Sequence, residues 1–292
     1  MVNWHPNKIK EAKSLIIRAS LYQDELLSTS FASEIIERST PVVWFGNTTK
    51  NNWVTIATNP STREFLDRDN QLLMGENARF FIRDHSANLM EYSNDDTQLE
   101  STIQLYNSYF DRKTAYRNWF GKPKGAKLEG FLNGMGGSLY NLKQYRNVIH
   151  TDFLPIATKS QMGRISSRKE LLDSDFANQF LKDTLDFLKP SLIIILGKEH
   201  CKRFALIEHG IYFDSPKLID RFPDAKYQLG FHSRLNVPVL GLNFKPSEQF
   251  IALGGGVDAN GKSHGEYATK EALNEMGVEI INELQKLFSI VV

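Results

Sequence analysis

The chain has 292 residues, enough for one large α/β domain or a domain with an appendage. Its 35 basic residues against 34 acidic ones give no global field for nucleic acid, so any such affinity has to reside in a local patch. The one cysteine, Cys201, excludes an internal disulfide; no zinc or iron–sulfur spacing exists, and a reducing compartment fits best.

The first six residues carry no apolar signal core, and no stretch approaches the roughly 18 apolar residues of a membrane span. The expectation is a soluble, cytoplasmic protein without a metal or redox cofactor. Residues 7–38 have helical spacing, with Ile9, Ala12, Leu15 and Ile16 on one stripe and Leu26, Phe31, Ile35 and Ile36 on a second. Pro41 ends this region. Residues 42–45 and 53–56 flank a polar stretch, 46–52, which predicts a hairpin with a long loop at the sheet edge.

Residues 53–58 are the first of four short apolar runs, the others being 147–153, 191–197 and 237–243. Runs of this kind separated by helical patterns predict a parallel sheet covered on both faces. In such sheets ligands bind at the carboxyl ends of the strands. The turn Asn59-Pro60-Ser61 follows the first run, with Ser61 placed to cap a helix that starts at Thr62. Residues 67–130 lack a strong period and read as helices and loops inserted after the first strand. Residues 138–146 predict a short helix. Residues 173–189 predict an amphipathic one carrying Phe176, Phe180, Leu181, Leu185 and Leu188, closed by Pro190. A helix over 198–208 and a loop-rich stretch to Asn236 follow. Lys245-Pro246-Ser247 succeeds the last apolar run, Gly254 opens a polar loop through Gly265, and a helix over about 266–288 buries Leu273, Met276, Ile280, Ile281, Leu284 and Phe288.

Laid end to end, Ala57-Thr58-Asn59-Pro60-Ser61, then Gly137-Ser138-Leu139-Tyr140 before Val148-Ile149-His150-Thr151-Asp152, then residues 190–197, and finally Lys245-Pro246-Ser247 resemble the motifs of the uracil-DNA glycosylase superfamily. Order and spacing match over about 42–250. The resemblance implies one α/β domain over 1–292, a three-layer α/β/α sandwich around a four-stranded parallel sheet. In the mismatch-specific and single-strand-selective branches, an asparagine before proline positions the water that attacks the sugar C1′, and Asn59 takes that place. Most branches carry His-Pro-Ser in the last motif, the histidine contacting the departing base; here Lys245 replaces it. The second strand of the family usually ends in an asparagine that reads the pyrimidine edge, and the aligned residue is Asp152.

Breaking an N-glycosidic bond develops positive charge on the sugar and negative charge on the base, so catalysis is mainly electrostatic. Asn59 could orient the water through its amide oxygen, and the Lys245 cation suits the leaving base. An ionised Asp152 accepts hydrogen bonds only, which favours an edge presenting donors. Hypoxanthine, xanthine or an adenine-type base therefore stands beside uracil as the expected substrate. Thr58, Pro60, Ser61, Pro246 and Ser247 would complete the substrate site. Gly136, Gly137 and Ser138 lie in a glycine run read as opening a helix, whose amides could hold a phosphate or a base carbonyl. Phe65, Phe80 and Phe81 are candidates to stack on the flipped base. Each of these residues also has a plain structural reading, as turn, cap or core, and His150 reads better as a packed histidine than as a catalyst.

Contact with DNA, single- or double-stranded, needs a basic surface. The densest is 111–127, with Arg112, Lys113, Arg117, Lys122, Lys124 and Lys127 interleaved with Tyr116, Trp119 and Phe120. Lys159, Arg164, Arg168 and Lys169 could extend it. The leading reading is a monofunctional DNA glycosylase. Two alternatives stand beside it: a non-catalytic nucleic-acid-binding member of the same fold, and a hydrolase or binding protein for a small nucleoside or nucleotide.

Overall fold

The computed structural model describes residues 4–48, 52–85, 88–208, 210–248, 250–257 and 263–288. In chain order the elements are α1 (Pro6–Leu27), β1 (Trp53–Ala57), α2 (Leu89–Asn94), α3 (Asp96–Asn107), α4 (Arg117–Phe120), α5 (Lys127–Met135), β2 (Gly137–Ser138) and β3 (Arg146–Asp152). There follow α6 (Arg168–Leu172), α7 (Asp175–Leu188), β4 (Leu192–Leu196), α8 (Lys198–Ile207), β5 (Ile211–Phe213), β6 (Lys217–Ile219), β7 (Phe222–His232), β8 (Val237–Leu242), β9 (Phe250–Val257), β10 (Ser263–Tyr267) and α9 (Lys270–Phe288). The chain is an α/β protein of two compact units. One comprises Met1–Thr48, Thr58–Ala115 and His150–Leu188, the other Thr49–Ala57, Tyr116–Ile149 and Lys189–Val292.

The second unit carries a mixed, mostly parallel eight-stranded sheet in the order β2-β3-β1-β4-β8-β7-β5, with β6 paired on β7. The four apolar runs become β1, β3, β4 and β8, which are contiguous in that order and run β3-β1-β4-β8. β1, β4 and β8 are parallel, with Val54 opposite Ile193 and Ile193 opposite Val239. Every residue of β4 is buried, which is why its sequence is an uninterrupted Leu-Ile-Ile-Ile-Leu.

The expected four strands are therefore the middle of a larger sheet. The stretch read as loop before Asn236 holds β5, β6 and β7 instead. β7 runs antiparallel to β8 and alternates as a half-covered strand should, with Ala225, Tyr227 and Leu229 buried and Lys226 exposed. Asn236, at φ 57°, supplies the left-handed residue of the turn into β8. The expected loop from Gly254 is likewise replaced by the antiparallel pair β9 and β10, with 258–262 outside the described residues. β10 runs to Tyr267, so the last helix starts at Lys270; it buries Leu273, Met276, Ile280, Ile281 and Leu284, while Phe288 is only partly covered.

The first unit is helical. α1 is one helix of 22 residues with Pro6 in its first turn and Ala12, Leu15, Ile16, Ala19 and Leu26 buried along one stripe. It packs on α2, α3 and α7. The helical region expected to Arg38 stops at Leu27, and a 3-10 turn over Ser30–Ser33 carries Phe31 inward. The aromatic core includes Trp44 against Tyr106 at 4.8 Å and against Phe187 at 5.1 Å between ring centroids.

The expected edge hairpin does not form. β1 lies between β3 and β4 and has no edge to offer. Residues 42–45 bond to a different partner: Phe45 exchanges main-chain hydrogen bonds with His150 at 2.8 and 3.0 Å, Val42 N–H donates to Pro155 O at 2.7 Å, and the Thr151 hydroxyl donates to Val43 O at 2.7 Å.

Candidate functional site

In the first unit, the turn after β1 is fixed to the segment 154–159. The Leu154 amide donates to Thr58 O at 3.0 Å, and the Thr62 hydroxyl reaches both Thr158 O and Lys159 O at 2.7 and 2.9 Å. Pro60 is buried, and Ser61, exposed, accepts from Arg63 N–H at 3.2 Å to cap a short 3-10 turn over Thr62–Glu64.

Asn59 is half-buried between these segments. Its Nδ2 donates to Pro60 O, Ile156 O and Thr158 Oγ1 at 3.3, 3.1 and 3.0 Å. The Thr158 hydroxyl gives its one proton to Ser160 O at 2.7 Å, so toward Asn59 it can only accept. That fixes which end of the amide faces inward. Oδ1 is left as an acceptor with no hydrogen bond among the described residues.

Two acids share this unit's interior. Glu64 is 2% exposed and accepts from the Tyr109 hydroxyl at 2.6 Å. Burial pushes its pKa up to about 7, the Asp152 charge adding to the rise, against the pull of the Tyr109 hydrogen bond and of Arg79 and Arg112. Asp152, at the end of β3, has a side chain 2% exposed. Neither of its oxygens has a hydrogen-bond partner among the described residues. His150 Nε2 stands 3.4 Å from Oδ1, close enough to act through charge but without hydrogen-bond alignment. The His150 ring packs on Phe45 at 5.2 Å, as a core histidine does. Phe45 also meets Phe80 and Tyr109 edge-on at 5.3 and 5.1 Å. Phe65 and Phe80 are fully enclosed, 5.7 Å apart, and Phe81 packs on Tyr92.

Glu64, Tyr109 and Arg79 escaped the sequence reading. Ser61-Thr62-Arg63-Glu64 has the spacing of a helix capping box, a solvent-facing role that masks a buried acid.

In the second unit, Lys245 is half-buried with its stem against Gly197, the residue that caps α8. A Cβ placed on Gly197 would stand 3.2 Å from Lys245 Cε. The Lys245 ammonium makes no ion pair among the described residues. The turn that carries it is bonded to the basic segment on both sides: Ser247 Oγ donates to Trp119 O at 2.6 Å, and Lys127 Nζ donates to Ser247 O at 3.1 Å. Pro246 is buried between them in sequence. Lys122 and Lys124, in the loop those two contacts bracket, are exposed. Lys124 and Lys127 both hold positive φ, 56° and 66°, which costs about 1–2 kcal/mol each for a non-glycine residue.

Other members of the basic segment are engaged. Arg112, in the first unit, gives its guanidinium to the carbonyls of Ala78, Arg79 and Leu105 at 3.1, 2.5 and 3.1 Å, which makes it a clamp on the main chain. Arg117 hydrogen-bonds Tyr140. Lys113 is exposed, also in the first unit.

The glycine run closes a helix instead of opening one. Gly136, at φ 89° and ψ 13°, is the left-handed residue that ends α5, so the groups presented there are carbonyls and not amides. A Cβ on Gly134 would collide with the Asn274 carbonyl of α9, and one on Gly137 would stand 2.8 Å from the Trp53 ring. The short helix expected over 138–146 is absent: Ser138 ends β2 and donates to Glu129 Oε1 at 2.6 Å. Glu129, fully buried, also accepts from Asn133 Nδ2 at 2.8 Å and Leu139 N–H at 3.0 Å. Burial still pushes its pKa up to about 7.

Compared with models of protein families and with curated proteins, the chain finds no match in either. Among the described residues, no group of three or more His, Cys, Asp or Glu is arranged to hold a metal, and no helix is long and apolar enough to cross a membrane. The Cys201 thiol is buried and pushed up to about 12 by that burial, which leaves it inert as a nucleophile.

Proposed function

We propose that the chain is an N-glycosyl hydrolase acting on a base in DNA, with a uracil-DNA-glycosylase-like sandwich as its finer fold. The observation that carries this reading is the Asn59 amide, anchored through Nδ2 by three acceptors and offering Oδ1 two residues beyond the end of β1. An amide held in that way can accept from a water and orient its lone pair without taking its proton. Lys245 supports the same reading from three residues beyond the end of β8, as an unpaired ammonium among the described residues.

In this mechanism the water oxygen bonds to C1′ as the C1′–N bond breaks, and the bonding pair leaves with the base. The proton released by the water returns to the base or to solvent. The products are the free base and an abasic sugar. The exposed Lys122 and Lys124, in the loop bracketed by the Ser247 contacts, favour polymer DNA over a free nucleoside.

The test is base release from single-stranded and duplex oligonucleotides carrying uracil, hypoxanthine, xanthine or guanine modified at its ring nitrogens. Asn59→Ala and Lys245→Ala are each expected to slow release by about 100-fold or more. Native protein that binds these strands and releases no base refutes the hydrolase. The lysine at the position of the family's histidine gives the second reading its basis: a binding protein without turnover, whose affinity falls steeply with salt.

A further inference from the structure

An ionised carboxylate removed from water without hydrogen bonds costs several kcal/mol, so one that persists is held there by the rest of the fold. Asp152 is a carboxyl buried in this way: its side chain is 2% exposed and neither oxygen is hydrogen-bonded among the described residues. The other buried acid nearby, Glu64, is bonded through the Tyr109 hydroxyl. The side chain that stands beside Asp152 is the His150 ring, with Nε2 3.4 Å from Oδ1 but without hydrogen-bond alignment; that ring packs in turn on Phe45, which meets Phe80 and Tyr109. None of them donates to Asp152.

What satisfies two adjacent carboxylate oxygens is a pair of parallel N–H donors, the geometry that makes bidentate pairs strong and selective. Among the common bases only the guanine type presents this. Its ring N–H and its exocyclic amino group sit side by side on one edge. Hypoxanthine and xanthine offer the ring N–H without the neighbouring amine, uracil offers one N–H between two carbonyls, and adenine and cytosine put an acceptor next to their amine. We propose that Asp152 reads a guanine-type edge, taking the ring N–H on one oxygen and the exocyclic N–H on the other. The inference rests on the base-handling reading above and narrows its substrate to guanine-type bases.

The experiment measures binding of the full chain, by fluorescence anisotropy, to short labelled oligo-dT strands carrying a single guanine, hypoxanthine or uracil. The guanine strand is expected to bind about tenfold or more tightly than the hypoxanthine strand, which differs only by the exocyclic amine. Asp152→Asn should erase that preference while leaving the melting temperature unchanged or raised, because it removes a buried carboxyl that no hydrogen bond supports among the described residues. A structural Asp152 would give the opposite, a lowered melting temperature with the preference intact. Equal binding of guanine and hypoxanthine strands by the native protein overturns the inference; if Asn59-dependent base release is still seen, the hydrolase reading survives it. Absence of both strand binding and base release overturns the two together.

Discussion

Two buried carboxyls set an unusual direction for the pH dependence of stability. Glu64 and Glu129 each rise from an ordinary 4.5 to about 7 in the folded protein, chiefly through burial. Between those values the folded state binds a proton that the unfolded state has released. The stabilisation is complete below the unfolded value and is lost as pH climbs through the folded one. A gap of this size corresponds to about 3 kcal/mol for each carboxyl. Glu64→Gln is the informative variant, because the amide oxygen can still accept from Tyr109 while the ionisation is gone. Glu129→Gln is less clean: three donors converge on its two oxygens, and one of them would face an amide nitrogen. Denaturant unfolding followed by tryptophan fluorescence at about pH 5 and about pH 8 reads the effect. The native protein is expected to be less stable at the higher pH, and Glu64→Gln to recover up to about 3 kcal/mol there with little change at the lower. A native stability that is flat or rising between those values, with the same slope in Glu64→Gln, would refute the raised pKa. Glu208 acts in the opposite sense. Burial raises its pKa, but the Arg234 hydrogen bond and the neighbouring His232 outweigh that and lower it, so its contribution is lost only as pH falls below the ordinary carboxylate range.

Tyr109→Phe removes the hydrogen bond that Glu64 receives at 2.6 Å and should cost about 1–3 kcal/mol in denaturant titration, more at alkaline pH than at acid. Lys122→Ala with Lys124→Ala should leave folding within about 0.5 kcal/mol and lower the slope of log affinity against log salt for DNA by about one per lysine; an unchanged slope would remove the loop from the interface. Gly137→Ala drives a methyl against the Trp53 ring and Val148 and is expected to cost about 1–3 kcal/mol, read as a fall in the denaturation midpoint.

The centre of the sheet was legible because β1, β3, β4 and β8 are continuous apolar runs, the pattern of strands covered on both faces. β7 was not, although Ala225, Tyr227 and Leu229 alternate with Lys226 and Gln228: Pro223 lies at its start, and proline argues against a strand interior. Residues 42–45 were recognised as extended and assigned the wrong partner, since proximity in sequence favoured 53–56 while the available hydrogen-bonding edge lay at 150–155. The glycine run was assigned the wrong end of a helix. Composition marks a helix terminus there, but only the left-handed φ at Gly136 says which one.

The site divides along the same line. Asn59 and Lys245 stand out in the sequence because they sit in turns after strands, the place where ligands bind in sheets of this kind. Glu64 was hidden inside a capping pattern, and the distinctive property of Asp152 belongs to its surroundings and not to its type. Any aspartate at the end of a strand invites a hydrogen bond from nearby amides. Its absence is what separates Asp152 from Glu129, an acid equally buried yet met by three donors. Glu129 explains itself as structure: it joins α5 to β2 and the residue after it. Asp152 joins nothing through hydrogen bonds among the described residues, so the rest of the fold holds it in place, and on the reading proposed above its two oxygens are left for a guest that brings two donors.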